Sequence, residues 1–134
     1  MVGVVVVTHG NLSRDLLEVT ELIVGACPNI VPVTIAPEEG ISDIAKKVES
    51  AIKDADKGTG TLILTDLFGG TPSNVSLSFL EENKVEVLSG VNLPMMIKIA
   101  THSEHSGLKE LSKLAKNAGK KNISLASEIM RKKV

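Results

Sequence analysis

The stretch VGVVVVTHG, residues 2–10, places a nearly continuous run of valines directly before a polar turn. An apolar run of this length, with almost no alternation, is typical of a central strand in a parallel sheet, where both faces are buried. Short β-branched runs and longer amphipathic patterns alternate through the rest of the chain. This alternation predicts a parallel sheet that is covered by helices.

Three further strands and five helices are predicted from the same alternation. The further strands are expected at residues 30–35, 61–65 and 85–88. The helices are expected after residue 10, at residues 41–55, from Thr71, from Pro94 and at residues 106–118. The length of 134 residues is that of one domain, so residues 1–134 are predicted to form a single domain.

Two of these helices carry additional signals in the sequence. The first has an apolar face at helical spacing, which we expect to be buried and which consists of Leu12, Leu16, Val19 and Ile23. In the helix from Thr71, the threonine hydroxyl is expected to cap the start and Pro72 to occupy the first helical position. The side chains expected to face inward there are Val75, Phe79 and Leu80.

The predicted fold class is α/β, with a doubly wound, mainly parallel sheet in the flavodoxin-like order 2-1-3-4. Residues 122–126 are expected to add an antiparallel strand at the edge. In such open sheets, ligands bind beyond the carboxyl ends of the strands, where the winding reverses. The order places the first and third strands side by side, so His9 and Asp66, which follow them, are predicted to meet at the mouth of one crevice.

The predicted pair of His9 and Asp66 suits nucleophilic chemistry. A carboxylate that accepts one ring N–H leaves the lone pair of the other imidazole nitrogen free to attack an electrophile. In the alternative interpretation, His9 is only a polar residue of a strand-to-helix turn and Asp66 only caps a turn. Their placement beside each other at a switch point favours the catalytic interpretation.

The turn GGTP, residues 69–72, supplies a second feature of the candidate site. Two glycines permit close approach of the backbone, and the helix that follows presents free N–H groups and the positive end of its dipole. A phosphoryl group is the ligand that Gly70 and Thr71 would hold best in this arrangement, although Gly-Gly can also form merely a tight turn. Neither of the common glycine-rich nucleotide motifs occurs in the chain.

Composition excludes several classes of function. The chain has 15 basic and 16 acidic side chains and two aromatic ones, which argues against nucleic-acid binding. It has one cysteine, so neither an intramolecular disulfide nor a cysteine-based zinc cluster is expected. No apolar run approaches the length of a membrane helix, and residues 1–10 do not resemble a signal peptide, so a cytoplasmic location is expected.

Three weaker candidates are interpreted as structural. His102 and His105 lie three residues apart without a third ligand nearby, so we expect no metal site there. Cys27 is expected to be a packing residue rather than a reactive thiol. Met95 and Met96 are expected to fill the core.

Three motifs together resemble one known family. THG at residues 8–10, DLFGGTPSN at residues 66–74 and GVNLPM at residues 90–95 resemble the enzyme IIA component of the mannose family. That family belongs to the phosphoenolpyruvate-dependent sugar phosphotransferase system. The similarity extends over almost the whole chain in order and spacing.

The resemblance implies a cytoplasmic phosphocarrier. The phosphocarrier protein HPr would donate a phosphoryl group to a histidine, which would pass it to a IIB component that serves the membrane permease components IIC and IID. By position, His9 matches the phosphorylated histidine and Asp66 its carboxylate partner, while Thr71 falls where the family often has serine. No IIB domain follows before Val134, so we expect a separate acceptor protein.

The favoured hypothesis is therefore a phosphotransferase with a phosphohistidine intermediate, without cofactor or metal. One alternative is a non-catalytic small-anion or nucleotide-binding module of flavodoxin type. Another is a hydrolase that uses Ser73 or Thr71 with His9, which the lack of a Gly-x-Ser-x-Gly motif disfavours. A homodimer is also expected, from the resemblance, the short last strand and the apolar segment 94–100.

Overall fold

The sheet of the computed structural model, which describes residues 1–132, contains four parallel strands in the order β2-β1-β3-β4. The strands are β1 (Gly3–His9), β2 (Ile30–Ile35), β3 (Thr61–Thr65) and β4 (Val85–Ser89). The predicted α/β class, the parallel sheet and its order are confirmed. The central position of β1 follows from its valines, because residues 4–7 are completely buried.

Six helices occur in the described part of the chain. They are α1 (Leu12–Val24), α2 (Ile41–Ala55), α3 (Thr71–Leu77), α4 (Leu93–His102), α5 (Leu108–Lys121) and α6 (Ala126–Lys132). Helices α1, α4 and α5 cover one face of the sheet, and α2 and α3 cover the other. Alternate side chains of β1 therefore enter two separate cores, Val4 and Val6 in one and Val5 and Val7 in the other.

The start of β1 lies against the end of α2 at unusually close range. A β-carbon built on Gly3 would overlap the carbonyl group of Ala55. This overlap excludes any larger residue unless the helix shifts. Gly3 thus lets the central strand pack directly against the backbone of α2.

The burial of α1 differs from the prediction. Leu12, Val19 and Ile23 are exposed, and Leu16 is half-buried. The residues that pack deepest are Ser13 and Thr20, which are both completely buried. These small side chains place the helix close to the sheet, and their hydroxyls are satisfied by backbone carbonyls. The helix is consequently rotated so that most of the predicted apolar face points outward.

The predicted edge strand at residues 122–126 was wrong. Helix α5 continues to Lys121, the Asn122 amide donates to the Ala118 carbonyl at 2.8 Å, and α6 begins at Ala126. Among residues 1–132, no fifth strand joins the sheet.

The start and end of α3 also differ in detail from the prediction. Gly70 occupies the N-cap, and the Thr71 side chain makes no capping hydrogen bond. Val75 is buried and Phe79 half-buried as predicted, but Leu80 is exposed because α3 ends at Leu77.

The packing predictions for the cysteine and the methionines are confirmed. Cys27 lies in the same core as Met95 and Met96 of α4. Burial raises the pKa of the Cys27 thiol, and the nearby Glu21 carboxylate raises it further. The thiol is therefore kept in its uncharged form.

The connection from β2 to α2 is held by one carboxylate. Glu39 accepts the Ala36 N–H at 2.8 Å and pairs with Lys47 at 3.0 Å. The backbone hydrogen bond and then the lysine lower the pKa of Glu39 below its usual range. A lowered pKa means that the charged carboxylate stabilises the folded state at neutral pH, and that this contribution is lost as the pH falls through the folded-state pKa.

We expect Glu39→Gln to lower the unfolding free energy at pH 7, because the charge that binds the Ala36 N–H and Lys47 is removed. The difference from the unmodified protein should be smaller at pH 3, because Glu39 loses its charge as the pH falls through its lowered folded-state pKa. Urea unfolding at the two pH values measures this. Glu38→Gln, next to it and exposed, is the matched control and should change little at either pH.

Candidate active site

The candidate site lies at the carboxyl edge of the sheet, where β1 and β3 end side by side. Val7 pairs with Thr65, so His9 at the end of β1 and Asp66 directly after β3 come together. Oδ2 of Asp66 accepts the backbone N–H of His9 at 3.0 Å and lies 2.9 Å from its ring Nδ1. The structure therefore brings together the two residues that the sequence predicted to meet.

This contact determines what the imidazole can do. A carboxylate only accepts hydrogen bonds, so Nδ1 carries the proton and Nε2 keeps its lone pair. The His9 side chain is 54% exposed, whereas the Asp66 side chain is 14% exposed. The nucleophilic nitrogen can thus be reached from solvent while its orienting carboxylate stays shielded.

The Asp66 side chain forms its hydrogen bonds with His9, one with the backbone N–H and one with the ring. Within residues 1–132, no lysine or arginine forms an ion pair with Asp66, and its buried Oδ1 has no hydrogen-bond partner. When the imidazole becomes a cation, this carboxylate is therefore available to stabilise it.

The glycine turn approaches the other side of the ring. Gly69 adopts a φ of 91°, in the left-handed region that favours glycine. Gly70 has an ordinary φ of −81°, but a β-carbon built on it would lie 3.0 Å from Cε1 and 3.6 Å from Nε2 of His9. Gly70 is needed for space rather than for backbone conformation, and it brings the start of α3 to the free nitrogen.

Backbone N–H groups are available at this end of α3. The first hydrogen bond of the helix runs from the Asn74 N–H to the Gly70 carbonyl at 2.9 Å. N–H groups that precede it, including those of Gly70 and Thr71, have no acceptor within the helix. The arrangement can therefore offer hydrogen bonds to an anion near Nε2.

The loop after β4 contributes support that the sequence interpretation missed. The N–H groups of Gly90 and Val91 both donate to the Thr65 carbonyl, immediately before Asp66. Asn92 caps α4 through the Met95 N–H at 3.1 Å and donates to the Gly119 carbonyl of α5 at 3.2 Å. The asparagine just before Leu93-Pro94 was a recognisable N-cap signal in the sequence.

The other histidines lie away from this edge. His102 ends α4, and its Nδ1 lies 3.1 Å from the Lys98 carbonyl. Ser103, which follows it, accepts the Val2 N–H at the opposite edge of the sheet. Among the described residues, no group of three histidine, cysteine or acidic side chains is arranged to hold a metal ion.

A groove of about 1070 Å³ also lies elsewhere. It runs between the free edge of β4 and α5, and it includes Leu80, Leu88 and Leu108 but not His9. The candidate chemistry thus takes place on an open surface rather than in an enclosed pocket.

Fold and site together define a class: an α/β protein of flavodoxin-like order that presents a carboxylate-oriented histidine beside a glycine turn. Comparison with known proteins identifies the family. Residues 3–116 match the EIIA-man model, described as PTS system fructose IIA component. The chain belongs to this family, as its motifs indicated.

Two relatives and one solved structure illustrate the match. The chain is 32% identical to the fructose-specific EIIA component of Bacillus subtilis, over 98% of this chain and 91% of that protein. It is 34% identical to the sorbose-specific EIIA component of Lacticaseibacillus casei, over 81% and 78%. An EIIA structure from Streptococcus agalactiae superposes with a TM-score of 0.87 at 26% identity, covering 96% of this chain and 99% of that one.

Family membership places the chain in a sugar phosphotransferase system, with the phosphocarrier and transferase role of an EIIA component. In residues 1–132, every helix is too short or too polar to span a bilayer.

Gly70→Ala is expected to displace the His9 ring, because the added methyl group would lie 3.0 Å from Cε1. The fold should persist, since alanine readily adopts the backbone conformation of Gly70. Nitrogen-detected NMR of the imidazole should show shifted His9 signals. Gly107→Ala is a matched control, because Gly107 caps α5 with nearly the same dihedral angles and has no atom within 4 Å of its added carbon. Unchanged His9 signals in Gly70→Ala would show that the turn does not constrain the ring.

Proposed function

We propose that this chain accepts a phosphoryl group from phospho-HPr on Nε2 of His9 and passes it to a separate IIB component. The observation that carries the proposal is the contact of Asp66 Oδ2 with Nδ1 at 2.9 Å, in a pair whose histidine is exposed. This contact leaves Nε2 as the free nucleophile at a surface that another protein can reach.

The transfer is an in-line displacement between histidines of two proteins. The Nε2 lone pair attacks the phosphorus while the nitrogen–phosphorus bond of the donor breaks and the donor nitrogen takes the electron pair. His9 then carries the phosphoryl group on Nε2 and keeps its proton on Nδ1, so the ring is a cation facing Asp66. In the second step, a histidine of the acceptor attacks the phosphorus and His9 becomes the leaving group.

The Gly70 and Thr71 amides provide the charge stabilisation. They precede the first hydrogen bond of α3, and a β-carbon built on Gly70 would lie 3.6 Å from Nε2 of His9. Hydrogen bonds to a charged group are worth about 1.5–3 kcal/mol each, and such preorganised donors act most strongly on the charge of the transferring group. The mechanism requires neither a metal nor a cofactor.

Apolar side chains around His9 form a docking rim for the two protein partners. Leu12 and Phe68 are exposed, and Leu93 is half-buried. An exposed aromatic residue is a typical centre of a protein interface. Partners that dock here would exclude water during transfer, and the permease components IIC and IID would be served only through IIB. The cytoplasm is the expected location.

The alternatives find less support at the site. Ser73 is completely buried, and its hydroxyl makes no hydrogen bond to His9, which disfavours a serine hydrolase. A non-catalytic module that binds an anion or a nucleotide does not require a nucleophile that is oriented by a carboxylate. Both alternatives predict that no covalent phosphate forms.

The homodimer also belongs to this proposal, but the surface proposed for the dimer interface differs from the one predicted from the sequence. Segment 94–100 was expected to be poorly covered, but Met95, Met96 and Ile99 are in the core. The uncovered surface is instead the free edge of β4 with the groove beside α5. An unpaired strand edge favours association, so we propose that a second copy covers it.

Sedimentation is expected to give twice the 14.2 kDa chain mass at roughly tens of micromolar protein. Leu80→Lys should weaken the dimer, because it places a charge at the rim of the groove. Leu22→Lys is the matched control, since Leu22 is equally apolar, exposed on α1 and outside the groove. A 14.2 kDa species of the unmodified protein under these conditions would contradict the dimer.

We expect the unmodified protein to gain the mass of one phosphoryl group when it is incubated with phosphoenolpyruvate, enzyme I and HPr. The modification should be labile in acid and stable in base, as phosphohistidine is. His9→Gln should abolish it, because glutamine retains a polar side chain but lacks the nucleophile. Intact-mass spectrometry measures the gain.

His102→Ala and His105→Ala serve as controls and should still accept the phosphoryl group, since neither residue lies at the site. Phosphate on the His9→Gln protein would refute the assignment of His9. Absence of phosphate on all variants and on the unmodified protein would favour the non-catalytic alternative.

A further inference from the structure

The turn that carries His9 is closed by a buried hydroxyl. Helix α1 begins without a side-chain cap from Asn11. In its place, Oγ1 of Thr8 accepts the Ser13 N–H at 2.7 Å, and both residues are completely buried. A residue of β1 thus satisfies an N–H group that an N-cap residue normally binds.

Two further hydrogen bonds attach the same turn to β2. The Ser13 hydroxyl donates to the Val33 carbonyl at 3.0 Å, and the Gly10 N–H donates to the Ile35 carbonyl at 2.8 Å. His9 therefore lies inside a short loop whose two ends are both fixed. The hydroxyl of Thr8 is the link between the strand end and the helix start.

The position of His9 is tightly constrained, because its backbone N–H and its ring must reach the same oxygen of Asp66. The peptide group that supplies this N–H joins Thr8 to His9. A small rotation of that peptide would lengthen one of the two contacts. Holding the turn rigid is therefore a condition for keeping Nε2 in line with a donor phosphoryl group.

We propose that Thr8 is a positioning residue for phosphoryl transfer, acting through the Ser13 N–H on the turn that orients His9. Thr8 is buried beneath the turn, so it acts on the backbone rather than on the transferred group. The inference rests on the proposed phosphocarrier function. It adds a residue whose hydroxyl, and not merely its size, sets the transfer rate.

Thr8→Val tests the hydroxyl at nearly constant volume. Phosphoryl uptake from phospho-HPr at saturating donor should slow by roughly ten- to a hundredfold, since small displacements of reacting groups cost this much. The KM for the donor should stay within about twofold, because the docking rim is untouched. Thr8→Ser restores the acceptor oxygen and should recover most of the rate.

Thr20→Val is the matched control. Thr20 is also a completely buried threonine next to the sheet, but its hydroxyl donates to the Leu16 carbonyl within α1, away from His9. Its transfer rate should match that of the unmodified protein. If Thr8→Val does not fold, Thr8→Ala is used instead, because it also removes the hydroxyl that accepts the Ser13 N–H and its side chain is smaller. The same changes in transfer rate and KM are then expected.

Imidazole NMR separates this inference from the proposed function. Loss of the Thr8 hydroxyl should broaden or shift the Nδ1–H signal of His9, whereas Thr20→Val should not. Transfer and ring signals that are unchanged in Thr8→Val, or a slow Thr8→Ser, would overturn the positioning role while leaving His9 as the phosphorylated residue. A different result would refute the phosphocarrier function alone. In that case Thr8→Val alters the ring signal, but neither the unmodified protein nor any variant takes up phosphate.

Discussion

One oxygen atom, Oδ2 of Asp66, binds both the backbone N–H and the ring Nδ1 of His9, and the site depends on this double contact. It requires that β1 and β3 be neighbours, run in the same direction and end together, as the pairing of Val7 with Thr65 achieves. The valine run that makes β1 the central strand is thus also a requirement of the chemistry. A strand order that separated β1 from β3 would keep a parallel sheet and lose the site.

The pair contributes little to stability. A hydrogen bond between a neutral ring and a carboxylate at an exposed position contributes on the order of 1 kcal/mol, and most of the folding free energy comes from the two apolar cores. The value of the contact lies in orienting an accessible nitrogen. The open surface around that nitrogen suits a protein partner better than a small molecule, and the groove beside β4 and α5 does not include His9.

Small hydroxyl residues determine how α1 meets the sheet. Ser13 and Thr20 approach most closely, and their hydroxyls bind carbonyls, so no buried polar group is left unsatisfied there. Most of the apolar stripe of α1 is turned outward as a result, and Leu12 is exposed. The same packing places the Ser13 N–H over Thr8, which joins the buried core to the site.

The four strands were predictable from the sequence, and His9, Asp66 and the glycine turn were recognisable as candidates, because β-branched runs and chemistry-bearing turns are local signals. The strand order was predicted from the fold class that the alternation of strands and helices indicates. Tertiary structure alone decided which face of α1 is buried, since helical spacing defines an apolar stripe but not whether smaller residues can pack closer. It also decided the structure of residues 122–126, where α5 continues to Lys121, α6 begins at Ala126 and no strand joins β4. The double contact of Asp66 and the need for space at Gly70 likewise arise only when distant segments meet, because each is a distance between residues far apart in the chain.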